Sequence, residues 1–360
     1  MSNDPTSLLN QLGQSLWLDN ITRDLLDSGT LAQYIETRCV TGLTSNPTIF
    51  DHAISRSSAY DAEIDHQHKH GASGEALFFV LAVQDLTRAA DLFAPIYQRT
   101  GTVDGFVSLE VSPRLVHDTK ATLAQAHRLH AQANRPNLFI KIPGTPEGLP
   151  AIEAAIFAGV PINVTLLFSA EQYEAAADAY LSGLERRILA GLTADVRSVA
   201  SLFVSRWDVA VADKVPPALR NTLGIAVGKQ CYQAYRAVLQ SDRFQRLANY
   251  GARPQRLLFA STGTKDKTAS DTLYISGLAA PNTVNTMPEA TLLAFAHHGE
   301  ISDSLPHDGG DADAVLLAYS RAGIDVAALA AKLQVDGAQG FDESWTELLG
   351  AIERKIKVFA

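Results

Sequence analysis

The sequence predicts a single (β/α)₈ barrel, the TIM-barrel arrangement of parallel strands surrounded by helices. Short β-rich runs alternate with longer segments whose apolar residues recur every three or four positions. Eight such units follow one another, and no linker rich in proline, glycine or serine divides them. This pattern favours one closed barrel over two doubly wound domains.

The predicted strands fall into two groups of four. The first four are SLWLDN (15–20), CVTGLTSN (39–46), FVSLEV (106–111) and LFIKIP (138–143). The second four are PINVTLLF (161–168), VRSVASLFV (196–204), RLLFAS (256–261) and TVNTMP (283–288). Segments such as GEALFFVLAVQDLTRAADLFAPIYQRT lie between them and have the apolar spacing of amphipathic helices.

The chain is longer than a minimal barrel, which typically needs about 250 residues. Its 360 residues leave room for an insertion at about 47–74 and for C-terminal helices at about 311–358. We expect those helices to cover 311–330 and 343–358, and the last one is free to lie across a barrel end. Residues 1–360 are predicted to form one domain.

Composition limits the possible partners. The formal net charge is −9, from 39 acidic and 30 basic residues, and no block of like charge forms a nucleic-acid footprint. The negative net charge does not exclude small anionic substrates, because a few cations in a cleft can outweigh it locally. Cys39 and Cys231 lack a metal or redox spacing, and no signal peptide or membrane-spanning run is apparent, so we expect a cytoplasmic protein without a membrane partner.

Lys141 is the most informative residue, because it interrupts the apolar strand LFIKIP. An unpartnered ammonium is so costly to bury that the group usually gives up its proton, and an uncharged lysine is a nucleophile. A structural ion pair is the alternative explanation.

Other polar residues stand at the carboxyl ends of predicted strands, where barrel active sites form. Singly, each could cap a helix or satisfy a loop. They are Asp19, Asn46, Glu110, Asn163, Thr165 and Ser201. Together with an uncharged lysine they suit imine chemistry: the two carboxylates move protons, the asparagines bind sugar hydroxyls, and the threonine orients a water.

An anion pocket is predicted next to this set. Ser201 and Arg206 accompany strand six, while Ser261 and Lys265 follow strand seven, where barrels of this kind often hold phosphate. The STGTK run lacks the first glycine of a P-loop, so nucleotide binding is rejected. The histidines at 66, 68 and 70 lie in a polar insertion and are interpreted as a solvated loop or helix end rather than a metal site.

The ordered motifs LWLDNI, TGLTSNPTIF, VSLEVSPRL, FIKIPGT, INVTLLFS and LFVSRWD resemble the transaldolase family over nearly the whole chain. The resemblance implies a cofactor-free class I aldolase of the non-oxidative pentose phosphate pathway, with its lysine on the fourth strand. Many family members have GASFR where this chain has ASTGTK, so Lys265 replaces an arginine and loses its planar fork. The ASTGTK form resembles a branch also found fused to glucose-6-phosphate isomerase.

The resemblance also implies roles for the candidate residues. Lys141 would form the Schiff base, Asp19 would take the proton from the C4 hydroxyl, and Glu110 with Thr165 would hold the water at the lysine. Asn46 and Asn163 would bind the retained dihydroxyacetone unit, and Ser201 with Arg206 would bind phosphate.

Three questions stay open at the level of sequence. A fructose 6-phosphate aldolase shares the fold and lysine, although that subgroup resembles transaldolase with glutamine in place of Glu110. A non-catalytic sugar-phosphate-binding barrel is the alternative outside enzymes. Both a monomer and a homodimer are compatible with the sequence.

Overall fold

Residues 4–301 and 303–359 are described by the computed structural model, and they contain a closed barrel of parallel strands. The strands are β1 (Ser15–Asp19), β2 (Val40–Thr44), β3 (Val107–Glu110), β4 (Leu138–Pro143), β5 (Ile162–Leu167), β6 (Ser198–Phe203), β7 (Gln255–Ala260) and β8 (Val284–Met287). Adjacent strands pair in chain order, and β8 closes the barrel by pairing with β1. The predicted (β/α)₈ barrel is confirmed, and each predicted strand is present.

At least one helix follows every strand. The helices before the fourth strand are α1 (Pro5–Leu12), α2 (Arg23–Asp27), α3 (Thr30–Thr37), α4 (Pro47–Arg56), α5 (Asp61–Lys69), α6 (Gly74–Arg99) and α7 (Thr119–Ala133). Those after it are α8 (Gly148–Ala158), α9 (Ala170–Leu189), α10 (Ser205–Val211), α11 (Leu223–Gln240), α12 (Asp242–Ala248), α13 (Leu273–Gly277), α14 (Glu289–His298), α15 (Ala312–Arg321) and α16 (Val326–Phe359).

The strand register places the polar residues of neighbouring strands side by side. Glu110 on β3 pairs with Lys141 on β4, and Lys141 pairs in turn with Asn163 on β5. Most strands are buried along their whole length, which explains their nearly continuous apolar sequences. The few polar residues in them therefore lie inside the barrel or at its rim.

The predicted insertion at 47–74 forms α4 and α5. His66 and His68 lie in the last turn of α5 and His70 follows it, and all three side chains are exposed. The interpretation as a helix end is thus confirmed. Within residues 4–301 and 303–359, no group of three or more histidine, cysteine or acidic side chains is placed to hold a metal ion.

The predicted boundaries of the C-terminal helices are wrong. The break lies at residues 322–325, where Gly323 adopts a left-handed φ of 86°, and α16 then continues without interruption for 34 residues. Gly337 lies in the gap between the two predicted helices. A Cβ at this position would lie 2.9 Å from Leu166 and 3.0 Å from Arg206. Helix α16 therefore packs this closely on the barrel because residue 337 is a glycine.

Helix α16 lies across the carboxyl end of the barrel, as the sequence allowed. The Gln334 side-chain nitrogen donates hydrogen bonds to the carbonyl oxygens of Gly144 (3.1 Å) and Leu166 (3.0 Å), at the ends of β4 and β5. Leu166 has a left-handed φ of 58°, which is uncommon for a leucine. The helix therefore holds a strained strand end in place.

Over the described ranges, no single helix is both long and apolar enough to cross a membrane. Helices α15 and α16 pass that test only as a pair, and they are bent by 91° at their junction.

Candidate active site

A small polar cavity opens at the carboxyl end of the barrel and has a volume of about 100 Å³. Every strand except β3 contributes residues to its wall. It is lined by Asp19, Thr44, Asn46, Lys141, Thr165, Ser201, Phe203, Arg206, Ala260, Ser261, Thr286 and Phe341. Seven of the ten predicted site residues are in this wall, and the exceptions are Glu110, Asn163 and Lys265.

Lys141 is buried at the cavity, with 5% of its surface exposed. Its Nζ donates a hydrogen bond to the backbone oxygen of Ser45 at 3.0 Å and lies 3.5 Å from Oε2 of Glu110. Lys141 therefore has partners, and the ion pair that the sequence left open as the alternative is present. An acid is close enough to exchange a proton with the lysine.

Glu110 lies behind Lys141 on the neighbouring strand and is also 5% exposed. Burial raises the pKa of this carboxyl above its usual range, while Lys141 acts in the opposite direction. A carboxyl with a raised pKa next to an amine can take up and return the amine's proton.

Asp19 approaches the cavity from the end of β1. Its Oδ1 accepts a hydrogen bond from the Thr44 hydroxyl at 2.7 Å, and the Thr44 and Thr286 hydroxyls are 2.7 Å apart. Burial raises the pKa of Asp19, and the largest opposing effect is the hydrogen bond from Thr44. Sequence reasoning missed Thr44, although its position two residues before Asn46 was a usable signal.

Asn163 lies deeper than the sequence suggested. It is fully buried, its Oδ1 accepts from the Ser201 hydroxyl at 2.7 Å, and its Nδ2 donates to the Ser108 hydroxyl at 3.1 Å. It is absent from the cavity wall. Ser201 instead presents its own side chain to the cavity and orients Asn163 from there.

Thr165 and Asn46 keep polar atoms for a ligand or water. The Thr165 hydroxyl is buried and has no hydrogen-bond partner within residues 4–301 and 303–359. Asn46 caps α4, because its Oδ1 accepts from the backbone nitrogen of Ile49 at 3.0 Å. The Asn46 side chain therefore both caps α4 and lines the cavity.

Arg206 in the first turn of α10 supplies a cation to the cavity. Its guanidinium lies 4.9 Å from the ring centre of Phe203 and 5.6 Å from that of Phe341. Burial lowers the pKa of Arg206, so an anion nearby would be favourable. Phe341 comes from α16, and no local sequence pattern pointed to it.

Two hydroxyls lie between α10 and the end of β7. The Ser205 and Ser261 hydroxyl oxygens are 2.9 Å apart, and the Ser205 backbone nitrogen donates to the backbone oxygen of Ser261 at 3.0 Å. Ser261 was predicted, whereas Ser205 was missed although it immediately precedes Arg206. Together with Arg206 these hydroxyls provide donors of the kind that bind phosphate.

Lys265 lines a different cavity, of about 450 Å³, together with Asp208, Arg220 and Asp266. It is nevertheless near enough to lower the pKa of Asp19 through its charge. Its predicted contact with a substrate phosphate stays a prediction.

The fold and the site define a (β/α)₈-barrel enzyme whose polar cavity surrounds a buried lysine at the carboxyl ends of the strands. The chain belongs to the transaldolase/fructose-6-phosphate aldolase family, since the model of that family matches residues 16–352. The family resemblance predicted from the sequence motifs is thereby confirmed.

Full-length relatives support the same family. The protein named transaldolase from Parafrankia sp. (strain EAN1pec) is 44% identical over 98% of this chain and 98% of its own length. Those named transaldolase from Thermobifida fusca (45% identity, 98% of each chain) and Mycolicibacterium smegmatis (43% identity, 99% of each chain) are equally similar.

Proposed function

We propose that this chain is a transaldolase that transfers a dihydroxyacetone unit through a Schiff base at Lys141. The donor is sedoheptulose 7-phosphate or fructose 6-phosphate, and the acceptor is glyceraldehyde 3-phosphate or erythrose 4-phosphate. The observation that carries the proposal is the buried Lys141 amine, 3.5 Å from Glu110, in a cavity that Asp19 also lines. The reaction belongs to the non-oxidative pentose phosphate pathway.

Imine formation needs a lone pair on the Lys141 nitrogen. Glu110 accepts a proton from the ammonium, which its raised pKa favours, and the free amine then attacks C2 of the ketose. The new C–N bond gives a carbinolamine, whose hydroxyl leaves as water after taking the proton back from Glu110. The unpartnered Thr165 hydroxyl holds the water that carries these protons.

Cleavage follows from the positive imine nitrogen. The Asp19 carboxylate takes the proton of the C4 hydroxyl, the bond between C3 and C4 breaks, and its electron pair moves towards the imine to give an enamine. The aldose phosphate leaves, and the enamine attacks the carbonyl carbon of the acceptor as Asp19 returns the proton. Hydrolysis of the new imine frees the product and restores Lys141.

Substrate binding is assigned to the remaining polar groups. Arg206, Ser201 and Ser261 bind the phosphate, while Asn46 binds hydroxyls of the retained unit. Asn163 would reach a sugar hydroxyl only by exchanging its hydrogen bond with Ser201, and Lys265 contributes positive charge from the adjoining cavity.

We also propose that residues 1–360 act as one domain in the cytoplasm. The domain proposal is supported by the strand pairing, which runs from β1 near the start of the chain through β8 and back to β1. Cys39 and Cys231 are both free thiols, which supports a reducing compartment.

Supplying fructose 6-phosphate with and without erythrose 4-phosphate tests the proposed transfer. With the acceptor, we expect sedoheptulose 7-phosphate and glyceraldehyde 3-phosphate in equal amounts. Without it, we expect no sustained release of free dihydroxyacetone, because the enamine stays bound until an aldehyde arrives. Steady dihydroxyacetone release would identify a fructose 6-phosphate aldolase, and binding without turnover would identify a non-catalytic barrel.

Replacing Thr44 with valine should shift the pH dependence of transfer. The substitution removes the hydrogen bond that lowers the pKa of Asp19, so this pKa rises further. Because Asp19 must be ionised to act as a base, the acidic limb of the kcat/KM profile should move to higher pH. Thr44→Ser keeps the hydroxyl and is the matched control. An unmoved acidic limb in Thr44→Val would contradict the assignment of Asp19 as the base.

A further inference from the structure

A second cavity lies at the opposite end of the barrel, where the strands begin. Its wall includes Ser15 at the start of β1, Ser198 at the start of β6 and Arg256 near the start of β7. Its volume is about 420 Å³, larger than that of the cavity around Lys141 and within the roughly 300–1,000 Å³ range of small-molecule sites. The proposed transfer reaction makes no use of this space.

The wall of this amino-end cavity contains an apolar surface. Val103 is 44% exposed, Leu239 and Pro254 are half-buried, and all three line this space. An apolar or aromatic group of a ligand would lose water on contact with these side chains, which favours binding.

Three arginines line the same cavity, but they differ in how many hydrogen-bond and ion-pair partners their guanidinium groups have. The Arg256 guanidinium donates to the backbone oxygen of Thr283 at 2.6 Å, the Ser15 hydroxyl at 2.8 Å and the backbone oxygen of Val103 at 3.3 Å. Arg197 forms an ion pair with Asp195 at 3.0 Å. The Arg253 guanidinium has no hydrogen bond or ion pair with another residue in the ranges 4–301 and 303–359.

The acids near this cavity do not neutralise Arg253. Asp104 is the only acid in the cavity wall within the described ranges, and its carboxylate accepts hydrogen bonds from the Ser15 hydroxyl and from Trp17 Nε1 at 2.8 Å. Asp195 is engaged with Arg197. Three guanidinium groups therefore face two carboxylates, which leaves one positive charge at the cavity.

An uncharged acceptor is also present. Gln14 is fully buried in the cavity wall, and its side-chain nitrogen donates to the backbone oxygen of Leu278 and to the Thr283 hydroxyl, both at 2.8 Å. Its Oε1 is buried and has no partner in the part of the chain that the structure describes. Buried polar atoms usually have a hydrogen-bond partner, and a buried water would supply one.

We propose that the amino-end cavity binds a small organic anion that carries one negative charge and an apolar body. The carboxylate or sulfonate of such a ligand pairs with Arg253 at the rim, and its apolar part contacts Val103, Leu239 and Pro254. This site is separate from the cavity at Lys141, because the two open at opposite ends of the strands. Its occupation does not require the proposed transfer activity.

Fluorescence titration with 1-anilinonaphthalene-8-sulfonate, an aromatic monoanion, tests this site. The wild-type enzyme should bind the probe saturably at one site, and benzenesulfonate should displace it whereas benzyl alcohol should not. Fructose 6-phosphate should leave the probe bound, because it occupies the other end of the barrel. Displacement by fructose 6-phosphate, or the lack of saturable binding, would overturn the proposal.

The decisive variant is Arg253→Glu, which replaces the positive charge proposed to pair with the ligand by a negative one. Its affinity for the probe should fall about tenfold or more, the effect of losing a charge-assisted hydrogen bond. Arg246→Glu makes the same charge change at an exposed position of α12 and should bind as the wild type does. Both variants should keep wild-type transfer activity, which shows that they fold. Equal probe affinity in Arg253→Glu and the wild type would overturn the proposal.

Discussion

Replacing Lys141 with methionine is expected to abolish transfer, lowering kcat on the order of 10⁴-fold or more, because the nucleophile is lost. Methionine keeps an unbranched side chain of similar length in the buried position on β4, so the barrel should stay folded. The rate of glyceraldehyde 3-phosphate formation from fructose 6-phosphate and erythrose 4-phosphate measures the loss. Borohydride reduction in the presence of fructose 6-phosphate should add mass to the wild-type peptide that contains Lys141 and leave the variant unchanged.

The matched control is Lys120→Met on α7, where the lysine is exposed. This variant should react and be trapped by borohydride as the wild type is. Trapped mass elsewhere in Lys141→Met, together with retained transfer, would move the Schiff base to another residue. Circular dichroism of both variants separates a loss of chemistry from a loss of fold.

Asp19→Asn should lower kcat by roughly 10²–10⁴-fold, the range expected when a general base is removed. The amide has the shape of the carboxylate, and its oxygen can still accept the Thr44 hydroxyl, so the geometry at β1 is kept. Imine formation does not use Asp19, whereas cleavage of the bond between C3 and C4 does. Borohydride should therefore still trap fructose 6-phosphate on Lys141 while release of glyceraldehyde 3-phosphate nearly stops.

The control for this variant is Asp24→Asn on α2, which removes an exposed carboxylate nearby in the chain. Its kinetics should match those of the wild type. Full transfer activity in Asp19→Asn would mean that another group removes the C4 proton. A loss of borohydride trapping would instead assign Asp19 to the earlier, imine-forming step.

The strands were predictable because their signal is local. Runs such as LFIKIP and INVTLL are mostly apolar and buried along their whole length, as strands of a parallel barrel usually are, and their order determined the barrel. The extent of α16 was not predictable in the same way. Gly337 reads as a helix breaker in isolation, and only its contacts with Leu166 and Arg206 explain why the helix passes through it.

The same distinction applies to the candidate site. Lys141 and Glu110 could be found from sequence because charged residues within apolar strands are rare. The depth of Asn163 could not be found from sequence. The alternation of side chains along a strand shows which face each one points to, but not which layer of the barrel interior it occupies. Phe341 was missed because it reaches the cavity from a helix far along the chain, and Thr44 because a threonine in a strand is unremarkable on its own.

Helix α16 has a consequence for when the catalytic cavity is completed during synthesis. Phe341 follows every other residue of the catalytic cavity in the chain, so the ribosome adds this part of the wall last. A nascent polypeptide that has already paired all eight strands still lacks the ring that covers Arg206 and the glutamine that holds Leu166. The cavity wall is therefore complete only after this helix has left the exit tunnel and docked.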